Sequence, residues 1–132
     1  MAKKKQFKKP KEAYNGWVYL LKIWIGSDII FKVGTTNRQP YTRMLEVAGE
    51  LYAALGHIPK MTIVREHRVL DNYAVEAEIL KETAKWRYEL QCVKDVCGES
   101  ELRLMNEQEM CAVYDRCILT NYPAVECYKV EI

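Results

Sequence analysis

The sequence has no apolar run that approaches the roughly 18 consecutive residues that a membrane span needs. Its lysine-rich beginning is not followed by an apolar stretch, so we expect no secretion signal, no membrane contact and a cytoplasmic protein. No internal repeat and no linker divides the 132 residues, which suffice for one domain of ordinary size. With 49% hydrophobic and 29% charged residues, the composition is globular and argues against a wholly disordered chain.

The cysteines lack the spacing of a metal or redox motif. There is no Cys-x-x-Cys pair, and the five cysteines all lie in the last third of the chain: Cys92, Cys97, Cys111, Cys117 and Cys127. Cys92 and Cys97 are separated by four residues and the two histidines are distant, which fits a four-ligand zinc site poorly. We expect reduced thiols that pack as small hydrophobic side chains.

The net charge is +2, but positive charge is concentrated at the start of the chain and the rest is slightly acidic. The first 12 residues hold six lysines and one acidic residue, which leaves 14 basic and 17 acidic residues elsewhere. Lysine attracts phosphates without regard to base sequence, so this segment suits contact with nucleic acid. A solvated tail that only aids solubility explains the same charge. We call residues 1–12 the basic arm, whose lysines are Lys3, Lys4, Lys5, Lys8, Lys9 and Lys11.

The first half of the chain predicts a β-hairpin followed by a helix. Residues 17–25 and 29–34 are rich in β-branched and aromatic side chains, which is typical of strands, and a Gly-Ser-Asp turn joins them. The helix has Pro40 near its first turn and apolar residues at 3.6-residue spacing up to Leu55. Gly56 is expected to end it.

The second half predicts a further strand, a long helix and shorter elements. Residues 61–69 alternate as a strand, and Asp71 or Asn72 caps a helix that runs to about Leu90. The shorter elements are a strand at 101–105, a helix from a capping box at Asn106 and Glu109 through Cys117, and a strand at 127–132. Together these elements predict an α+β domain with a small antiparallel β-sheet, about three core strands, flanked by helices.

Four residues depart from these patterns, and departures of this kind often mark functional sites. Glu76 shares the semi-buried face of the long helix, where a carboxylate is costly unless a cation, a hydrogen-bond donor or a metal offsets it. Geometry alone favours a position at the edge of that face, where the side chain snorkels to solvent or pairs with an arginine. Lys32 interrupts an apolar strand, Arg43 lies near the start of the first helix, and Tyr19 lies within the first strand. Ordinary structural roles explain each of these three when it is considered alone.

The order of these residues along the chain resembles the GIY-YIG nuclease superfamily, and most of all its compact T5orf172 or Mug113-like branch. Trp17-Val18-Tyr19 stands for the first motif and Phe31-Lys32-Val33-Gly34 for the second. Arg43 follows a Thr-Thr-Asn-Arg loop, as the arginine of the family does, and Glu76 matches the glutamate of its apolar-Glu-x-x-apolar-apolar-Lys helix. The resemblance covers roughly residues 16–105, and Lys32 takes the place of the second-motif tyrosine.

This resemblance implies a GIY-YIG-like fold and a metal-dependent endonuclease that hydrolyses DNA phosphodiester bonds. It implies that Glu76 holds one divalent ion, Mg²⁺ or Mn²⁺, and that Arg43 contacts the phosphate. Either Lys32 or Tyr19 would position or deprotonate the attacking water, and the residues do not decide between them. Lys32 could act as a base only with a pKa far below its usual value. The basic arm and Arg38 are expected to hold DNA without sequence preference.

The predicted organisation is a flexible basic arm, a nuclease domain at 13–105 and a C-terminal extension at 106–132 that packs on the same domain. A second hypothesis stays open, because the second-motif tyrosine is replaced and we do not find the late asparagine of the family. In this alternative the chain is a catalytically decayed module that binds nucleic acid or protein without cutting. A protein partner or a homo-oligomer is compatible with both hypotheses.

Overall fold

A computed structural model describes residues 16–90 and 101–120. The strands are β1 (Gly16–Ile25), β2 (Asp28–Thr36), β3 (Lys60–Val69) and β4 (Leu102–Arg103), and the helices are α1 (Pro40–Leu55), α2 (Asn72–Glu82) and α3 (Glu107–Thr120). A short 3-10 helix at Ala84–Trp86 follows α2. The basic arm, three of the five cysteines and the strand predicted at 127–132 lie outside the described residues.

The four strands form one antiparallel sheet in the order β3-β1-β2-β4. The α+β class with a small antiparallel sheet is therefore confirmed. β1 and β2 form the predicted hairpin, in which Gly26 has a φ of 61° that L side chains rarely adopt. Because β4 pairs Leu102 with Lys32, β2 lies inside the sheet, and Lys32 is not the protective lysine of an edge strand.

Helices cover both faces of the hairpin. Val18 and Leu20 of β1 pack with residues of α2 and α3 on one face, and Tyr19 and Leu21 pack with residues of α1 on the other. Because β1 is buried on both faces, its sequence is almost continuously apolar and does not alternate. No helix of the described segments is long and apolar enough to cross a membrane.

The prediction that the second helix continues to about Leu90 is wrong, because α2 ends at Glu82. The hydroxyl of the next residue, Thr83, accepts a hydrogen bond of 2.9 Å from Nε of Arg103. Nη2 of Arg103 also donates to the carbonyl oxygen of Leu80 at 3.2 Å. These two hydrogen bonds give partners to the Leu80 carbonyl oxygen and the Thr83 hydroxyl at the end of the helix. The side chain that provides them comes from β4, so the periodicity of α2 itself does not reveal the helix end.

The predicted helix after Asn106 is confirmed, whereas the strand predicted at 101–105 is shorter and covers only Leu102–Arg103. The side chain of Asn106 accepts a hydrogen bond of 3.0 Å from the backbone N–H of Glu109, and α3 continues past Cys117 to Thr120. Cys117 is buried with its Sγ 3.9 Å from Oε2 of Glu82, and within the described residues neither Cys111 nor Cys117 forms a disulfide.

Tyr19 lies so close to its partner in β2, Gly34, that no side chain fits there. A Cβ atom added to Gly34 would lie 2.2 Å from the hydroxyl oxygen of Tyr19 and 2.3 Å from its Cζ. We expect Gly34→Ala to lower the free energy of unfolding by about 1–3 kcal/mol, since the ring must shift. Urea denaturation measures this change.

Gly49 is the matched control for this substitution. It lies in α1, and nothing is within 4 Å of a Cβ atom added to it. Gly49→Ala should raise stability by about 0.5–1 kcal/mol, because alanine favours the helix. Similar effects of the two substitutions would contradict the close approach of Tyr19 to Gly34.

Candidate active site

Tyr19 and Lys32 lie side by side on the face of the hairpin that α1 covers. The Lys32 Nζ atom is 5.9 Å from the centroid of the Tyr19 ring, close enough for a cation–π contact. Only 1% of Tyr19 and 2% of Lys32 is exposed. A buried ammonium group is costly unless an opposite charge accompanies it.

Glu101 supplies that opposite charge, since its Oε1 atom accepts a hydrogen bond from Nζ of Lys32. Glu101 immediately precedes β4, whose first residue pairs with Lys32 in the sheet. The sequence analysis did not assign Glu101 to the site. The two residues are 69 positions apart, so the pairing of β2 with β4 is the signal that would have found it.

Glu76 of α2 lies beside Glu101 and is partly buried. Burial, and then the negative charge of Glu101 and a hydrogen-bond contact with it, raise the pKa of Glu76 from 4.5 to about 8, and Lys32 opposes this. Within the described segments, Glu76 forms no ion pair with an arginine. The predicted alternative of a pairing between Glu76 and an arginine therefore receives no support, whereas its half-buried position fits the edge of the apolar face.

Arg43 reaches the same face from the first turns of α1. Its Nη1 atom lies 3.1 Å from Oε1 of Glu46 and 3.5 Å from Oε2 of Glu50. Burial alone would lower the pKa of Arg43, but Tyr19, Glu50 and Glu46 together raise it. Glu46 and Glu50 lie on the same side of α1 as Arg43, and their carboxylates hold its guanidinium group in place. The sequence analysis did not use the positions of these two glutamates relative to Arg43.

The electrostatics of Tyr19 show that these groups converge. Burial raises the pKa of the Tyr19 hydroxyl, which Lys32 and Arg43 lower and the two carboxylates of Glu101 and Glu76 raise further. The outcome is a pKa above the usual value of tyrosine, so the hydroxyl is protonated at neutral pH. All four residues selected from the sequence therefore lie within electrostatic range of one another around Tyr19, with Glu101 as a fifth. We call these five residues the site cluster.

Arg38 lies outside the site cluster and is connected to it through Glu46. Its Nη1 and Nη2 atoms bind the two carboxylate oxygens of Glu46 at 2.7 and 2.8 Å, and Glu46 also contacts Arg43. Arg38 is exposed in the loop that precedes α1. The lysines of the basic arm lie outside the described residues.

The donors of the site cluster fit a hard divalent cation. Lys32 and Arg43 offset the two carboxylates of Glu76 and Glu101 when all four groups are ionised, and the raised pKa of Glu76 means that its carboxyl group holds a proton unless a cation replaces it. No group of three or more His, Cys, Asp or Glu side chains in the two described segments could hold a metal ion. A Mg²⁺ ion at Glu76 would therefore keep water and substrate oxygens among its ligands, as this ion prefers.

The raised pKa of Glu76 predicts that stability falls as the pH rises. The folded-state pKa of about 8 exceeds the ordinary value of 4.5, so the contribution is fully present below 4.5 and is lost as the pH passes through about 8. We expect a loss of about 1–3 kcal/mol across this interval, less than the full shift implies because the carboxyl group is only partly buried. Urea denaturation across the interval measures the loss.

Glu76→Gln should remove most of this pH dependence, because glutamine stays neutral. Glu78→Gln is the control, since Glu78 is exposed in the same helix. A wild-type protein whose stability does not fall across the interval, or a Glu76→Gln variant that keeps the full dependence, would contradict the position of Glu76 in the site cluster.

Comparison with known proteins identifies the family of this chain. The T5orf172 domain matches residues 16–118, a range that begins with β1 and ends within α3. No curated protein and no solved structure gives a significant match. The matched range contains the whole site cluster and the whole sheet. The chain therefore belongs to the T5orf172 domain family, a nuclease-like, DNA-binding branch of the GIY-YIG superfamily.

Proposed function

We propose that this protein is a metal-dependent endonuclease that hydrolyses DNA phosphodiester bonds with one divalent ion at Glu76. The observation that carries the proposal is the convergence of a carboxylate, a buried lysine and an arginine around Tyr19. Membership of the T5orf172 domain family supports nucleic acid as the class of substrate.

Hydrolysis of a phosphodiester needs an oriented water molecule and positive charge around the phosphate in the transition state. A bound Mg²⁺ or Mn²⁺ ion supplies Lewis-acid charge at the phosphate and lowers the pKa of a coordinated water molecule. Glu76 would hold this ion through its carboxylate. Because a cation stabilises the ionised carboxylate, its binding would also lower the pKa of Glu76 from about 8.

Arg43 is suited to bind the oxygens of the scissile phosphate. Its contacts with Glu46 and Glu50 both use Nη1, and within the described part of the chain no hydrogen bond uses Nε or Nη2. These two nitrogens form one edge of the planar guanidinium group and can donate to two phosphate oxygens at once. Lysine has no such planar edge, so Arg43→Lys is expected to be a poor replacement.

Lys32 and Tyr19 would act on the substrate from the face of the hairpin that α1 covers. The amine of Lys32 is hydrogen-bonded to Glu101, and we assign Lys32 the role of a positive charge that stabilises the phosphate in the transition state. The hydroxyl of Tyr19 stays protonated because burial raises its pKa. It can therefore orient the attacking water by a hydrogen bond.

The first test of this proposal is a plasmid-nicking assay in Mg²⁺ or Mn²⁺. Glu76→Ala, Glu76→Gln and Arg43→Ala should each lower the rate by about 10²–10³, the typical loss for one transition-state interaction. Glu78→Gln is the control for a change of charge on α2. Equal nicking by the wild type and the Glu76 and Arg43 variants would contradict the proposal. Salt-sensitive binding of DNA without any metal-dependent nicking would favour the decayed binding module.

The basic arm is expected to supply sequence-independent affinity for DNA. Removal of residues 1–12 takes away six lysines, so the logarithm of the binding constant should fall less steeply with the logarithm of salt concentration. Fluorescence anisotropy with Glu76→Gln, which binds without cutting, measures the two slopes on one labelled duplex. An unchanged slope after the deletion would show that the arm does not contact phosphates.

A further inference from the structure

We infer that Trp17 and Arg68 form a stacking platform for one unpaired nucleobase of the DNA, beside the site cluster. This inference rests on the proposed function and names the class of DNA that the same site takes. Trp17 stands in the first motif of the resemblance, but neither that motif nor the family match assigns a role to its indole ring. The position of the ring in the sheet carries the argument.

The indole ring of Trp17 is half-buried and does not belong to the core. Trp17 is the second residue of β1, and the four residues that follow it are all buried. The two hydrophobic clusters of the described segments include Val18 and Tyr19, but neither includes Trp17. Core packing therefore does not explain a side chain of this size at this position.

Trp17 lies next to the site cluster on the same face of the hairpin. Trp17 and Tyr19 are two residues apart on β1, so their side chains project from one face, about 7 Å apart. Opposite these two residues on β2 lie Thr36 and Gly34. A strand of DNA with one phosphate in the site cluster can therefore bring an adjacent base to Trp17.

Arg68 adds a second planar group to this surface. It lies opposite Trp17 on β3, and its Cζ atom is 5.6 Å from the centroid of the indole ring. This distance is within the range of a cation–π contact. Nucleobases stack on tryptophan rings and on guanidinium planes alike. Because Arg68 is exposed and Trp17 is only half-buried, a base can reach the pair from solvent.

The platform adds stacking to DNA binding, and little charge. Glu66 lies on the same face, opposite Tyr19, and it is exposed two residues from Arg68 on β3. Its negative charge offsets the positive charge of Arg68, so the platform attracts phosphates only weakly. Affinity that comes from stacking is therefore expected to vary little with salt, in contrast to the affinity that comes from the basic arm.

The geometry of stacking selects an unpaired base. In a continuous duplex the neighbouring base pairs cover both faces of every base, so an indole ring has no base face to contact. A base in a single strand, in a bulge or flipped out of the helix exposes its face. The platform therefore favours DNA that has an unpaired nucleotide beside the bond to be cut.

The platform is fixed relative to the proposed metal ligand. Asn72, the first residue of α2, is buried and donates a hydrogen bond of 3.4 Å from Nδ2 to the carbonyl oxygen of Trp17. Glu76 follows Asn72 by about one turn of the same helix. One helix thus positions the backbone of Trp17 and the carboxylate of Glu76, so little reorganisation is needed when DNA binds.

Trp24 provides a matched control on the same strand. It is half-buried like Trp17, and Nζ of Lys22 and Nζ of Lys60 lie 4.9 and 4.6 Å from the centroid of its ring. Trp24 is seven residues further along β1, which places it on the opposite face and about 23 Å away. A general effect of losing an indole ring beside a cation would therefore appear in Trp24→Leu as well as in Trp17→Leu.

The test is fluorescence anisotropy of the full-length protein with three labelled hairpin duplexes of one sequence, in EDTA so that no metal-dependent cutting occurs. The first duplex has one unpaired adenine, the second has an abasic residue in its place, and the third is fully paired. The wild type should bind the unpaired adenine at least about fivefold more tightly than either other DNA, the effect expected of one stacked base. Trp17→Leu should bind the first two duplexes equally, whereas Trp17→Phe and Trp24→Leu should keep the preference.

Equal binding of the adenine and abasic duplexes by the wild type would overturn this inference. That comparison needs no variant, so it remains decisive if Trp17→Leu does not fold. A preference that Trp17→Leu retains, or that Trp24→Leu loses to the same extent, would also overturn it. Plasmid nicking by a wild type without the preference would refute the platform alone, and the preference without any nicking would refute the proposed endonuclease alone.

Discussion

The buried ammonium group of Lys32 is the constraint on which the site depends. It lies inside the sheet beside Tyr19, where only a nearby carboxylate can offset the loss of its hydration, and Glu101 provides that carboxylate. Burial and the neighbouring carboxylate of Glu101 raise the pKa of Glu76. A carboxyl group with a raised pKa holds a proton, which a divalent cation would displace in the proposed mechanism. The same feature therefore links the fold to the proposed chemistry.

The fold supports this arrangement through two unusual contacts. Tyr19 lies against Gly34 with no space for a side chain, which keeps the ring over the hairpin and next to Lys32. Arg103 connects β4 to the end of α2, so the strand that follows Glu101 is bonded directly to the helix that carries Glu76. Neither contact has a local sequence pattern, because each joins residues that are distant along the chain.

Much of the fold could be predicted because its signals are local. The apolar strands of the hairpin and the glycine at 56 that ends α1 all follow from short-range patterns. The semi-buried face of α2 also drew attention to Glu76, which is half-buried and lies beside Glu101. The end of α2 and the role of Glu101 could not be predicted in this way. Both depend on β4, a strand of two residues whose pairing with β2 decides which side chains meet.

The central claim is that Glu76 and its neighbours hold a divalent cation against the hairpin face. The most direct measurement is anomalous X-ray diffraction from crystals grown or soaked with Mn²⁺, with data collected near the manganese absorption edge. The account predicts an anomalous peak in contact with the carboxylate of Glu76, on the side of Lys32 and Tyr19. A fully occupied manganese peak elsewhere, with none at Glu76, would contradict it.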